Sequence, residues 1–356
     1  MNIASDSEMS KKYAYATLIT RESYLAGVLI LSETLKRHST AYPLVVLFTP
    51  NLSKDAIKIL DALHLRNNIV LRQCDHLLPP GDIKIKLIAE RFEDTWTKLR
   101  VFELFEYDAV CCLDADMAVF HNMDPIFDKL DLLEEDWLGT NHACICNWDN
   151  DPWAPEDWCS ENCAYTPQSH PSALYEPTQP EKGAPRTHHM INSGMFLFRP
   201  SKALWKAMIE FFNTTDLLSS FLFPDQDFLA HFFSGRWRAL GWQYNAFKTM
   251  RYWHPNIWRD EEVVCLHFIV DKPWAKRIDK DGVGGYKGRD GITHSWWWDE
   301  WRLFLKSLEI ERGFDPHIDR EFLNLIANSV APPLESESTR RGSDAFETGL
   351  HLRIDL

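Results

Sequence analysis

Long apolar runs are missing from this 356-residue chain: nothing approaches the roughly 18 consecutive apolar residues that span a bilayer. The opening MNIASDSEMSKK has no apolar core of a secretory leader, so the expectation is a cytoplasmic protein without a membrane span. Cysteine is sparse: eight residues are far below the density of a disulfide scaffold. Positive charge is in deficit. Lys and Arg number 38 against 52 Asp and Glu, a net charge of -14. That balance argues against a nucleic-acid coat but leaves room for a local basic pocket around a small phosphate ligand. Neither G-x-G-x-x-G nor G-x-x-x-x-G-K-[ST] occurs, which weakens the dehydrogenase and P-loop readings, and there is no internal repeat.

What is present is a chain that can fold on its own core: 45% of residues are hydrophobic, with 21 Phe and 15 Trp. YAYATLIT at 13–20 reads as a strand. Tyr24, Val28, Leu31 and Leu35 recur at helical spacing, and LVVLF is a second buried strand. Ser53 caps a helix bearing Ile57, Leu60 and Leu63, and NNIVLRQ supplies a third strand. This alternation predicts an α/β fold, a Rossmann-like, mostly parallel central sheet flanked by helices. A further helix is expected over Thr95–Glu106, then a central strand over Ala109–Leu113. Residues 140–190 lose periodicity and gather four cysteines with Trp148, Trp153 and Trp158, which reads as an irregular cysteine/tryptophan-rich insertion or lid on the acceptor side. Order resumes with MFLFRP, a helix from Ser201, another near Asp225, a strand VVCLHFIV at 263–270, and a closing helix around WWWDEWRLFLKSLEI. The expected layout is a flexible stretch at 1–12, one domain over 13–312, and an extension at 313–356 whose last part is poorly ordered.

Several residues can carry chemistry. Asp114-Ala115-Asp116 follows the central strand, at the edge where open α/β sheets place ligands. Two carboxylates at this spacing can share a hard divalent cation, or merely end a strand. His267 lies in an apolar strand, as a metal ligand or a satisfied core histidine, and Lys272 follows as a phosphate-holding cation or a surface lysine. Asp225-Gln226 opens a helix and is otherwise an N-cap with an acidic first turn. Asn192-Ser193-Gly194 precedes a strand and is otherwise a turn. Cys144, Cys146, Cys159 and Cys163 admit a zinc site, disulfides or packed thiols.

Taken together these pieces resemble the retaining, nucleotide-sugar-dependent glycosyltransferases of the glycogenin and galactinol synthase type, family 8, over Tyr13 to Trp274. The resemblance implies a GT-A fold and transfer of a hexose from UDP-galactose or UDP-glucose, with Mn²⁺ as the cofactor and Mg²⁺ as the other candidate. By position, Leu18, Thr20 and Tyr24 match the uridine-binding start of the family, and Thr97-Lys98-Leu99 the triplet whose lysine approaches the donor. Asp114, Ala115 and Asp116 match the D-x-D motif, with His267 as third metal ligand and Lys272-Pro273-Trp274 as the K-P-W that follows. Asn192, Ser193 and Gly194 match the element contacting the donor sugar, Asp225 and Gln226 the pair beside the anomeric centre, and Asn245 the residue bordering the acceptor. Lys98, Asp225 and Gln226 are the implied catalytic group. One departure stands out: family members usually place five residues including a glycine between this histidine and lysine, where this chain has only Phe-Ile-Val-Asp.

TAYPLVVL and the cysteine/tryptophan stretch resemble galactinol synthases, which implies a small polyol acceptor such as myo-inositol. The alternatives are a glycogenin-like self-glucosylating protein, a nucleotide-sugar pyrophosphatase and a silent sugar-nucleotide scaffold. No nucleic-acid partner is expected, and a homodimer is allowed for.

Overall fold

The computed structural model describes residues 11–81, 95–311 and 319–334. Expectations about a loose start and a poorly ordered tail fall mostly outside that range. Among the described residues a seven-stranded sheet runs in the order β3-β2-β1-β4-β7-β6-β8. Its strands are β1 (Tyr13–Ile19), β2 (Leu44–Phe48), β3 (Ile69–Gln73), β4 (Ala109–Leu113), β6 (Leu138–His142), β7 (Ile191–Phe198) and β8 (Trp237–Ala239). β1 to β4 pair in parallel, β7 is antiparallel to β4 and β6, and β8 is parallel to β6. A three-stranded sheet holds β5 (Met117–Val119), β10 (Cys265–His267) and β9 (Ala246–Phe247) in the order β5-β10-β9.

The central strands are apolar on both sides because both faces are covered. Along β4, Ala109, Cys111 and Leu113 enter one core while Val110 and Cys112 enter the other. β7 divides Met195 and Leu197 from Phe196 and Phe198 in the same way. The first face is filled by α1 (Leu25–Arg37), α2 (Lys54–Leu63), α6 (Gly291–Glu311) and α7 (Asp319–Asn328). The second is filled by α3 (Lys202–Thr214), α4 (Pro224–Phe232) and the segment Thr95–Glu103. Ser53 and Ser201 cap α2 and α3, each hydroxyl accepting from an N–H three residues on. Among the described residues no helix is long and apolar enough to cross a membrane.

Four local expectations change. Thr95–Glu103 is a 3-10 helix rather than an α-helix. LGTNH at the start of the expected insertion is a fully buried strand, β6, so the irregular stretch begins after His142. Asn192-Ser193-Gly194 lies inside β7 rather than in a turn before it. The strand expected over 263–270 is a regular strand only over Cys265–His267. In the described part of the extension, residues 319–334, Phe322, Leu323 and Ile326 are buried in the first core.

Candidate active site

β4 ends where its apolar run ends, and the chain turns at once. The N–H of Asp114 donates to the Gly194 carbonyl at 2.8 Å, and Met117 N–H donates back to the Asp114 carbonyl at 3.2 Å. The turn feeds β5, which pairs antiparallel with β10 so that His267 stands opposite Met117. A residue 151 positions downstream is thereby delivered beside Asp116, whose carbonyl accepts from Phe268 N–H at 2.9 Å. His267 Nε2 lies 3.3 Å from Asp116 Oδ1 and 3.9 Å from Asp114 Oδ2.

The tautomer of His267 follows from a chain of hydrogen bonds. The backbone N–H of Gly194 can only donate, and it donates to Asn192 Oδ1 at 3.0 Å. The Asn245 amide therefore offers its Nδ2 to that same oxygen, at 3.0 Å, and turns its Oδ1 toward His267 Nδ1, at 2.9 Å. Nδ1 must carry the proton, leaving the Nε2 lone pair facing the two carboxylates. Three electron-pair donors, all within 4.8 Å of one another, then point at one spot. Carboxylate oxygens with one imidazole suit a Mn²⁺- or Mg²⁺-like ion, so the residues fit the metal that the sequence implied.

Two lysines bracket this cluster. Lys98, from the 3-10 helix, bonds Asp114 Oδ1 and Asp225 Oδ2 at 2.7 Å each. Burial alone would lower its ammonium, but the two carboxylates outweigh that and hold it above the ordinary lysine value. Lys272 is hydrogen-bonded to Asp116 and to the Phe268 carbonyl. Burial opposes the charged form of Asp116, but the Lys272 ammonium prevails and holds it well below the usual carboxylate range. Asp114 behaves oppositely, raised because burial outweighs Lys98. Asp225 sits in the first turn of α4, where Pro224 starts the helix, and its Oδ2 also accepts from Ser193 Oγ at 2.8 Å. Gln226 Oε1 accepts from Asn192 Nδ2 at 3.3 Å.

These groups line one cavity of about 520 Å³. Leu18, Thr20, Tyr24, Lys98, Asp114, Ala115, Asp116, Asn192, Ser193, Gly194, Asp225, Gln226, His267 and Lys272 all reach its wall. Asn245 does not: it is fully buried behind the wall, so its contact is with His267 rather than with an acceptor. The Tyr24 ring packs edge-on to Trp274 at 5.9 Å, with Lys272 Nζ 6.0 Å from its centroid. Part of the stretch read from the sequence as an acceptor-side insertion or lid also reaches this cavity. Trp153 and Trp158 pack edge to face at 5.6 Å, and Phe223 stacks on Trp158 at 6.3 Å. All three line the cavity, as do Trp253 and Tyr286, whereas Trp148 is exposed outside it. Of the four clustered cysteines, Cys144, Cys146 and Cys163 converge, together with His254; Cys159 is not in the group.

The two sheets and the cavity at the end of β4 form a GT-A-like α/β fold with a cysteine/tryptophan-rich subregion. The profile of Glycosyl transferase family 8 matches residues 16–277, and the chain belongs to that family. It is 26% identical over 289 residues to galactinol synthase 1 of Solanum lycopersicum, covering 80% of each chain. It is 27% identical over 266 residues to galactinol synthase 4 of Arabidopsis thaliana, covering 73% of each. Among solved structures, it superimposes on the galactosyltransferase LgtC in complex with donor and acceptor sugar analogues with a TM-score of 0.52. That match has 18% identity and covers 82% of this chain and 99% of LgtC. It also matches the glycosyltransferase GlyE of Streptococcus pneumoniae, with a TM-score of 0.50 and 17% identity, over 83% of this chain and 63% of GlyE.

Proposed function

We propose that the chain is a retaining hexosyltransferase that moves a hexose from UDP-galactose or UDP-glucose to a hydroxyl of a small polyol such as myo-inositol. The observation that carries this reading is the convergence of Asp114, Asp116 and the His267 Nε2 lone pair between two lysines in one cavity. The names of the galactinol synthases it resembles support the donor and the acceptor.

Asp114, Asp116 and His267 would hold Mn²⁺, which supplies Lewis-acid stabilisation of the charge on a departing nucleoside diphosphate. Every other role falls to the side chains. Leu18, Thr20 and Tyr24 form the wall that takes the uracil and ribose, Tyr24 by its ring face. Lys98 and Lys272 place fixed positive charge where the diphosphate leaves. Asn192, Asp225 and Gln226 line the cavity; in this reading their side chains meet the donor sugar, with the Asp225 carboxylate beside the anomeric carbon. Because Asp225 already accepts from Lys98 and Ser193, it is held in place as a charge that stabilises an oxocarbenium-like sugar. The acceptor hydroxyl then enters on the leaving-group face and gives its proton to a donor phosphate oxygen. That route accounts for retention without a covalent sugar on Asp225.

The test is incubation of the purified protein with Mn²⁺ and a panel of UDP-sugars, with and without myo-inositol, with products resolved by mass. UDP release with a hexose added to inositol supports the proposal. UMP with sugar phosphate would replace it with a pyrophosphatase, and a hexose added to the protein itself with a self-glycosylating enzyme.

A further inference from the structure

A second donor set adjoins the same cavity through Cys144, and its chemistry is different. Cys144 and Cys146 follow β6, Cys163 comes from the middle of the irregular stretch, and His254 ends the short helix α5 (Met250–Trp253). His254 Nε2 lies 3.2 Å from Cys144 Sγ, 3.3 Å from Cys146 Sγ and 3.7 Å from Cys163 Sγ. All four ligand atoms fall within 4.8 Å of one another. A single ring nitrogen carries one proton or one lone pair, so it cannot satisfy three sulfurs by hydrogen bonding. Four donors around one ion can. With Zn–S near 2.3 Å and Zn–N near 2.0–2.1 Å, a tetrahedron has edges of roughly 3.5 Å for S···N and 3.8 Å for S···S. The three observed S···N contacts, 3.2, 3.3 and 3.7 Å, bracket the first of those values.

We propose that Cys144, Cys146, Cys163 and His254 hold a structural zinc ion that fastens the cysteine/tryptophan-rich stretch to the rim of the catalytic cavity. Soft thiolates favour zinc over the hard cations that Asp114, Asp116 and His267 suit, so the two donor sets sort two metals by chemistry. Three thiolates and one imidazole fill four positions, as in closed structural sites. The placement explains what the ion is for. The stretch from Ala143 to Met190 has only short 3-10 turns among its described elements, and nothing periodic in it builds a core of its own. Yet it supplies Asn147, Asp151, Trp153 and Trp158 to the cavity wall, and His254 is adjacent to Trp253, which lines the same wall. The ion ties the beginning and middle of this stretch to the end of α5, beside Trp253. This inference does not depend on which sugar or acceptor is used.

The experiment is metal analysis of the full-length protein, purified without chelators from cells grown with zinc. The expected result is stoichiometric zinc that survives dialysis. Cys146→Ser and His254→Ala should lose most of it, while Cys159→Ser and the double change Asp114→Asn with Asp116→Asn keep it. Should the ligand variants fail to fold, wild-type protein expressed in cobalt-supplemented medium gives a second reading. Sulfur-to-cobalt charge transfer together with tetrahedral d–d bands supports the site. Wild-type protein without zinc, a disulfide among Cys144, Cys146 and Cys163, or equal zinc loss in Cys159→Ser would each overturn it.

Discussion

Gly194 lies directly beneath the His267 ring. A Cβ at position 194 would overlap His267 Cε1 and come within 2.5 Å of Nδ1, the atom that Asn245 holds. The requirement here is space, since Gly194 sits in a strand whose backbone any residue adopts. Gly194→Ala is expected to push the imidazole off its line to Asp114 and Asp116. The Mn²⁺ concentration for half-maximal donor turnover should rise about 10–100-fold, with the protein still folded by circular dichroism. An unchanged Mn²⁺ dependence would remove His267 from the metal set.

Asn245 touches no cavity surface, so it separates positioning from contact. Asn245→Ala leaves the His267 Nδ1 proton without its acceptor and frees the ring to rotate. We expect weaker Mn²⁺ affinity, by about 10-fold or more, and a displaced pH profile, with little change in UDP binding measured without metal. Equal losses in both would mean that Asn245 acts through the fold alone.

Lys248 and Asp290 form an ion pair at 2.7 Å with both side chains at 0% exposure. Lys248 also donates to the Asp271 carbonyl at 3.0 Å and approaches His294 Nε2 at 3.2 Å. Lys248→Met strands a buried carboxylate and should cost about 3–5 kcal/mol in urea unfolding. The double change Lys248→Met with Asp290→Leu should recover much of that loss. If the single variant unfolds like wild type, the pair is not desolvated as described.

Acid should weaken the fold through two buried histidines. Burial lowers His294 to about 3 and His142 to about 4, against an ordinary 6.5. Unfolded chains therefore bind more protons than folded ones below about 6.5, and stability falls as pH drops from there toward 4. His294→Gln keeps an acceptor for Lys248 but does not titrate. Its melting temperature should fall less between about pH 7 and 5 than that of wild type, and an identical slope would exclude His294 as the source.

Val270 adopts φ +65°, a left-handed conformation that a β-branched residue resists. It stands in the four-residue link between His267 and Lys272. Val270→Gly should raise stability by about 1 kcal/mol in denaturant melts, the relief of backbone strain exceeding the added entropy of the unfolded chain. A destabilised variant would mean that the Val270 side chain contributes more by contact than its backbone costs.

Much of this was legible in the sequence because local pattern and tertiary role coincide. β1, β2, β3 and β4 are apolar runs bounded by polar residues, and Ser53 and Ser201 announce the helices they cap. β6 escaped notice because LGTNH has the composition of a loop and becomes a strand only through pairing with β7 and β8. Asn192-Ser193-Gly194 looked like a turn for the same reason. The D-x-D triplet, Lys98, Asp225 and His267 carry motif signals. His254 carries none, since 91 residues separate it from Cys163 and no spacing rule links them. The buried position of Asn245 was equally invisible, because Y-N reads the same whether it faces a ligand or a ligand's ligand.

The amide chain through Asn192 and Asn245 limits which sequences this site can become. Its polarity is set at one end by a backbone N–H that cannot reverse, and at the other by Asn192 Nδ2 offered to Gln226 Oε1. A side chain at 226 that bonds Asn192 must therefore present an acceptor. Glutamate satisfies that grammar, while lysine or arginine would set donor against donor and propagate the conflict through two amides to the imidazole. A residue of the wrong polarity at 226 thus reaches Asn192, Asn245 and His267 together, through one chain of hydrogen bonds.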